Sequence, residues 1–325
     1  MVLPLKRGDG PGFRLEASLD CSTVHTCGID IGGTKIAAGL VSAEGELSER
    51  IERPTNPSDP QAIIDTVVGM VEELDGDHVA RAVGVAAAAF LDRTRDRVYF
   101  APNIAWSDFP LQDVLQQRLG RPVTLENDAN AAGWAEFQFG AAKHAHSMVM
   151  LTMGTGVGGA VVEDGRLLIG GFGAAGELGH IIIQPDGLLC GCGNRGCLEQ
   201  YASGTALMRE ARNDFGRPEL TSDDMTELLI RGDDAAMAVL RRVCDAMGRG
   251  ITSLVAVTDP EVVVIGGGVA KAGELVSGLI TDSFKRHYGA YDRRPVPRIV
   301  VATMGNSAGV IGAADLARLE RPSGA

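Results

Sequence analysis

The feature that most constrains this chain is a pattern that occurs twice. An apolar strand, a glycine turn and a second strand run through Ile29–Ile36 (IDIGGTKI) and again through Leu151–Val162 (LTMGTGVGGAVV). Around these hairpins the apolar spacing alternates between strand and helix. Residues 24–40 read strand, glycine turn, strand, and Asp59–Leu74 carries Ile63, Ile64, Val67, Val68 and Val71 at helical spacing. Ala82–Leu91 reads as a buried strand entering a loop, and Leu111–Leu119 as an amphipathic helix closed by Gly120. Val123–Leu125 is a strand ending in Glu126-Asn127-Asp128, followed by a helix over Ala129–Phe139.

Further on, Met148–Met153 and Ala160–Val162 read as strands flanking a turn at Gly154–Gly159. Glu199–Asn213 and Ala235–Val257 read as helical, Glu261–Ile265 and Ile299–Ala302 as strands, and Gly309–Leu319 as a closing helix. Strands interleaved with helices predict an α/β protein. There is no short-period repeat and no low-complexity linker.

Composition narrows the function classes. The 325 residues carry 30 Lys+Arg against 42 Asp+Glu, a net charge of −12, which argues against a nucleic-acid surface. The longest apolar stretch, Ala82–Leu91, is far short of the ~18 residues of a membrane span. The first 22 residues are interrupted by Lys6, Arg7, Asp9, Arg14, Glu16 and Asp20, which does not match a signal peptide. Six cysteines are too few for a disulfide scaffold and predict reduced thiols in the cytoplasm.

Three glycine clusters follow three strands: Gly32-Gly33-Thr34, Gly154–Gly159 and Gly266-Gly267-Gly268. Consecutive N–H groups in such turns form concavities that suit phosphate, and glycine removes the Cβ that would obstruct approach. One cluster alone reads as an ordinary turn, but three point to a nucleotide. Gly154–Gly159 fits G-x-G-x-x-G, yet the following Ala160-Val161-Val162 is strand, not the helix a dinucleotide fold needs. Asp214-Phe215-Gly216 spells a protein-kinase motif, but no H-R-D exists, so it reads as a helix end with glycine past it. No G-x-x-x-x-G-K-[ST] loop is present.

Cys190, Cys192 and Cys197 fall within eight residues, interleaved with glycines. Thiolates at this spacing can wrap one tetrahedral zinc, and His180 is the natural fourth ligand. Four protein ligands close the coordination sphere, so the metal is structural. The competing reading is a redox-active or incidental group of thiols.

Five ordered motifs carry a resemblance. Asp30–Lys35, Glu126–Ala132, Gly154–Gly159, Gly176-Glu177-Leu178-Gly179-His180 and Cys190–Glu199 together resemble the ROK family of sugar kinases, in particular the ATP-dependent glucokinases of the actinobacterial kind. The resemblance spans residues 24–319. It implies a two-lobed actin-like (ribonuclease-H-like) ATPase fold: a polar tail over 1–22, a small lobe of 23–128 plus 308–325, and a large lobe of 129–307. It further implies that Gly32, Gly33, Thr34 and Lys35 form a first phosphate loop, with Asp30 near Mg²⁺. Thr155 and Gly156 belong to a second phosphate loop, and Gly266, Gly267 and Gly268 approach the adenosine of ATP. Asp128 is the catalytic base, Asn103, Asn127, Glu177, His180 and Glu199 hold glucose hydroxyls, and His180, Cys190, Cys192 and Cys197 bind Zn²⁺.

On local grounds alone Asp128 also reads as a helix N-cap, and Glu177 and Glu199 as solvated surface acids. Trp106 and Trp134 read as core. One departure from the family pattern concerns Val85–Leu91 (VAAAAFL), where related loops carry glycine and proline; a methyl at Ala89 is expected to narrow the approach to the sugar. The implied activity is ATP-dependent phosphorylation of glucose by a cytoplasmic dimer or tetramer, with lobe crossings at residues 126–134 and 306–311. Fructose, N-acetylmannosamine and polyphosphate-dependent glucose kinases are the alternatives. A sugar-responsive repressor is a further one, disfavoured by the acidic charge and the short stretch before the first strand.

Overall fold

The computed structural model describes residues 25–76 and 80–319; the proposed tail and the last residues of the closing segment lie outside them. The first hairpin joins His25–Ile31 (β1) to Lys35–Val41 (β2), with Ile31 opposite Ile36. Leu47–Pro54 (β3) extends it at the edge. Pro60–Leu74 (α1) begins where the Asp59 carboxylate accepts the N–H groups of Gln61 and Ala62, a side-chain cap for the first turn. Ala80–Ala87 (β4) runs parallel to β1. Phe90–Leu91 (β5), Val98–Ala101 (β6) and Ile104–Phe109 (β7) form a separate three-stranded sheet. Leu111–Leu119 (α2) ends at Gly120 in the left-handed conformation, and Val123–Asn127 (β8) pairs in parallel with β4.

Asp128–Gln138 (α3) leads into the second half. Met148–Met153 (β9) and Val157–Glu163 (β10) form the second hairpin, extended by Arg166–Leu167 (β11). Then come Glu199–Ala202 (α4), Gly204–Phe215 (α5), Ser222–Ile230 (α6), Asp234–Thr258 (α7), Val262–Gly266 (β12), Glu274–His287 (α8), Arg298–Val301 (β13) and Ala308–Leu319 (α9). The sheet orders are β3-β2-β1-β4-β8 and β11-β10-β9-β12-β13. Each has two antiparallel contacts followed by two parallel ones, so one topology occurs twice in the chain. This is the actin-like, ribonuclease-H-like ATPase fold.

Helix α9 lies against the first sheet and against α3, and α3 lies against β10 of the second. The packing depends on small residues at the crossings. A Cβ on Gly84 would stand 1.8 Å from the Ala313 carbonyl oxygen, and one on Gly312 would stand 1.8 Å from that of Ala131. The two largest apolar cores lie on the other faces of the sheets. One sets Ile29, Ile31 and Val85 under α1 and α2; the other sets Val149, Leu151 and Ile265 under α7 and α8.

Several boundaries differ from the sequence expectation. The helix expected over Glu199–Asn213 is broken at Ser203, whose extended backbone ends α4 and whose hydroxyl accepts the Ala206 N–H to start α5. The turn expected over Gly154–Gly159 is shorter, because Val157–Gly159 already pair with β9. Ala82–Leu91 divides into β4 and β5 at Ala88-Ala89. Strand β3, the β5–β7 sheet, α6 and α8 are additional elements. Gly216 does terminate α5 with φ 61°, as its position after Asp214-Phe215 predicts, and Trp106 and Trp134 are buried.

Candidate active site

A cavity of about 740 Å³ lies where the two halves meet. Asp30, Lys35, Asn103, Asn127, Asp128, Thr155, Gly156, Glu177, His180, Glu199 and Gly266–Gly268 all border it, so residues scattered over the whole sequence converge. Gly32, Gly33 and Thr34 are not among its lining residues. They form the adjoining turn, where the Gly32 N–H donates to the Lys35 carbonyl and a Cβ on Gly33 would lie 3.0 Å from Asn103 Cβ. Lys35 itself pairs with Glu52 at 2.6 Å.

The junction of β8 and α3 presents Asp128. The cap of α3 is Asn127, not Asp128: Asn127 Oδ1 accepts the N–H groups of Ala129 and Asn130 at 2.9 and 3.1 Å, while its amide donates to the Ala89 carbonyl. Asp128 is the first helical residue, and its Oδ1 accepts the Ala129 N–H at 2.9 Å. Its carboxyl is raised above the usual range by burial, against the opposing pull of nearby N–H groups. Burial also raises Asp30, to about 7, with the Asp128 charge adding to it and Lys35 and Arg50 opposing. Glu177 is raised by burial, with Asp128 and Glu199 adding. A cavity that concentrates carboxylates in this way favours a cation or a proton donor.

The second glycine turn is held from outside the hairpin. Glu199 Oε2 accepts the Val157 N–H at 3.1 Å, and a Cβ on Gly156 would stand 2.3 Å from that oxygen. The Thr205 hydroxyl donates to the Thr155 carbonyl at 2.7 Å. At the third cluster Gly267 has φ 86°, and its Cβ would meet Met153 backbone at 2.5 Å, so only glycine fits. Glu199 is thus a structural brace facing the cavity and not a solvated surface acid.

His180, Cys190, Cys192 and Cys197 place one donor atom each within 4.8 Å of one another. Cys190 Sγ is 3.7 Å from His180 Nδ1, and Cys192 Sγ is 3.6 Å from Cys197 Sγ. Tetrahedral zinc with bonds of about 2.3 Å requires ligand separations of about 3.8 Å, so the donor set fits that ion. All of the described cysteines are free thiols. Burial and the adjacent sulfurs push Cys197 up to about 12, an environment a divalent cation reverses. Antiparallel bridges Ile182–Cys197 and Leu189–Arg195 shape the loop. His180 Nε2 points the other way, 4.0 Å from Glu177 Oε2.

Ala89 borders the cavity, is 3% exposed and packs in the first core. The sequence reading missed Phe90, Glu136, Lys271 and Asn306, which border the cavity as well. Glu136 is fully buried and accepts the N–H groups of Thr303 and Met304 at 2.8 and 2.7 Å, tying α3 to the segment before α9. No local motif marks it.

The duplicated sheets and the cleft between them place the chain among the actin-like ATPases. A family model described as the ROK family matches residues 26–320, and the chain belongs to that family. It is 42% identical over 316 residues to a glucokinase of Streptomyces coelicolor, covering 91% of this chain and 98% of that one. It is 36% identical over 304 residues to an N-acetylmannosamine kinase of Shigella boydii, covering 91% and 99%. Its structure is similar to that of a ROK family glucokinase from Streptomyces griseus in complex with glucose and AMPPNP, with a TM-score of 0.83 and 40% identity, over 91% of this chain and all of that one.

Proposed function

We propose that this protein transfers the γ-phosphoryl group of ATP to glucose, giving glucose 6-phosphate and ADP. The observation that carries this reading is the one cavity bordered together by Asp128, by the glycine turns at Gly154–Gly156 and Gly266–Gly268, and by Asn103, Asn127, Glu177, His180 and Glu199. Phosphoryl transfer needs positioning and charge stabilisation more than covalent participation. Asp128 takes the proton of the sugar hydroxyl as that oxygen attacks the γ-phosphorus. The bond from phosphorus to the β–γ bridging oxygen breaks, ADP leaves, and the proton remains on Asp128 until solvent removes it. A carboxyl raised by burial is a stronger base than an exposed one, and Asn127's capping duty leaves Asp128 free for the role.

Backbone N–H groups around Gly32–Lys35 and Thr155-Gly156 suit the phosphates, and Gly266–Gly268 suit the adenosine. Mg²⁺ would accompany ATP and neutralise phosphate charge, and Asp30, which borders the cavity, is the carboxylate that would face it. Zinc on His180, Cys190, Cys192 and Cys197 orders the loop that carries Glu177 and His180 toward the sugar. Residues 23–128 with 308–325 act as one lobe and 129–307 as the other, hinged where α3 and α9 cross, so that closure excludes water. Assembly as a dimer or tetramer in the cytoplasm belongs to the same reading, and sedimentation velocity tests the assembly. Among the described residues no helix is long and apolar enough to cross a membrane.

The test is a coupled ADP-release assay with glucose, mannose, fructose and N-acetylmannosamine, each with ATP and with polyphosphate. Glucose with ATP is expected to give the highest kcat/KM. A higher value for N-acetylmannosamine, or polyphosphate outperforming ATP, overturns the assignment.

A further inference from the structure

Beyond the residues that border the cavity, one buried side chain ties together two segments that reach it. The turn between β5 and β6, Asp92–Arg97, is closed by Asp92, whose Oδ1 accepts the N–H groups of Asp96 and Arg97 at 2.9 and 3.0 Å. This closure holds Arg95 at φ 62°, a left-handed conformation that a non-glycine residue adopts where its surroundings over-determine it. Of the three arginines on the turn, Arg93 and Arg97 face outward, whereas Arg95 is only 6% exposed.

The Arg95 guanidinium spends its donors on two separate segments. Nε donates to Glu126 Oε2 at 3.1 Å, while Nη2 lies 2.9 Å from Oε1 as an ion-pair contact without hydrogen-bond geometry; the Glu126 side chain is 8% exposed. Glu126 Oε1 in turn accepts the Asn127 N–H at 2.8 Å and the Asn130 amide at 3.0 Å, and so fixes the start of the Asn127-Asp128 turn. Nη1 donates to the Gly173 carbonyl at 2.7 Å and to the Asp92 carbonyl at 3.1 Å. Gly173, at φ 88°, sits so close to the Leu91-Asp92 backbone that a Cβ would lie 2.5 Å from the Asp92 carbonyl carbon. Four residues later the same segment delivers Glu177 to the cavity.

We propose that Arg95 is a positioning residue that holds the two parts of the sugar-binding surface, Asn127-Asp128 and the segment leading to Glu177, in one register. The proposal rests on the functional reading above. A planar guanidinium can donate from Nε to a carboxylate and from Nη1 to a carbonyl of another segment in one rigid fork, which a lysine ammonium on a flexible stem cannot reproduce. Arg95 is not among the residues that border the cavity. Its loss is therefore expected to appear as a weakened and misoriented sugar site, with the nucleotide side intact.

The experiment compares Arg95→Lys, Arg95→Met and Gly173→Ala with the wild-type protein, measuring KM for ATP and for the best hexose, kcat, melting temperature and hexose affinity by calorimetry. Arg95→Met is expected to raise the hexose KM about tenfold or more with the ATP KM within about twofold. Arg95→Lys keeps a cation beside Glu126, so its melting temperature stays close to wild type while its hexose KM still rises several-fold. If charge neutralisation of Glu126 is the whole role, Arg95→Lys behaves as wild type, and the proposal is overturned. Should Arg95→Met fail to fold, Arg95→Lys and Gly173→Ala decide, the latter expected to weaken hexose binding while leaving the Arg95–Glu126 pair in place. Normal hexose KM in both refutes the proposal. A wild-type protein inert toward every hexose with ATP defeats the functional reading instead, and calorimetry then reads the Arg95 effect directly from hexose binding.

Discussion

The two sheets share a topology but not a chemistry, and the pairing registers show where they part. Asp30 of β1 lies opposite Ala37 in its hairpin and beside Ala86 of β4; Thr152 of β9 lies opposite Gly158 and beside Gly266 of β12. Asp30 and Thr152 are therefore equivalent positions, one a half-buried carboxylate and the other a hydroxyl that accepts the Gly158 N–H at 3.0 Å. The strands beside them continue into Ala88-Ala89 in the first half and Gly267-Gly268 in the second. In the first half Ala89 enters the core, and the cavity receives side chains such as Asn103, Asn127 and Asp128. At the equivalent turn of the second the backbone itself lies open at Gly267 and Gly268, both exposed, while Glu177, His180 and Glu199 of that half reach the cavity from other segments. One scaffold thus presents side chains, which distinguish hydroxyls, and also bare backbone, which suits phosphates and a nucleotide.

Substitutions that act on one side alone test this division. Asp128→Asn has the largest expected effect: kcat falls by about a hundredfold or more while calorimetric glucose affinity stays within a few-fold, because general-base catalysis contributes about 10²–10⁴. Near-normal turnover would remove Asp128 as the base. Gly267→Ala acts on the other side. It forces a Cβ against Met153 backbone at φ 86°, and strain of ~1–3 kcal/mol corresponds to about a five- to hundredfold rise in the ATP KM. The glucose KM is expected to stay within about twofold, and an equal rise in both would dissolve the contrast between the halves. Cys192→Ser returns to the sugar side. Elemental analysis is expected to find one zinc per chain in the wild type and less in the variant, and the glucose KM should rise by about three- to tenfold as the loop loses its staple. Unchanged metal content would refute the ligand set.

What the sequence reveals about these halves depends on how local each device is. The glycine turns and the Cys190–Cys197 loop are legible because their function lies in consecutive residues, and the hairpin pattern exposes the duplication. Edge strand β3 is obscured because Glu49, Arg50, Glu52 and Arg53 give it a charged, solvated surface instead of an apolar alternation. The N-cap of α3 is misread by one residue because Asn127 and Asp128 are both good caps, and only the backbone shows that Asn127 is extended. Arg95 meets Gly173 and Glu136 meets Thr303 across 78 and 167 residues. No spacing rule in one sequence connects such pairs, and the braces around the site therefore appear only in three dimensions.

The smallest expected effect concerns Asp30, the position at which the two halves differ most in charge. Burial and the Asp128 charge lift its carboxyl to about 7 in the fold, against an ordinary value near 3.8. The folded state then binds this proton more tightly than the unfolded chain does. Stability attributable to Asp30 is full below the unfolded value, declines as pH rises, and is lost once pH passes about 7. Asp30→Asn removes that dependence. Without Mg²⁺ or nucleotide, the variant is expected to melt a few degrees above wild type at pH 8, with the gap closing toward pH 5. The equivalent Thr152→Val exchange removes no charge and should give a melting difference that does not vary with pH. A pH-independent gap for Asp30→Asn as well would show that the charge of Asp30 is not destabilising in the empty cleft, and that the two halves differ there only in shape.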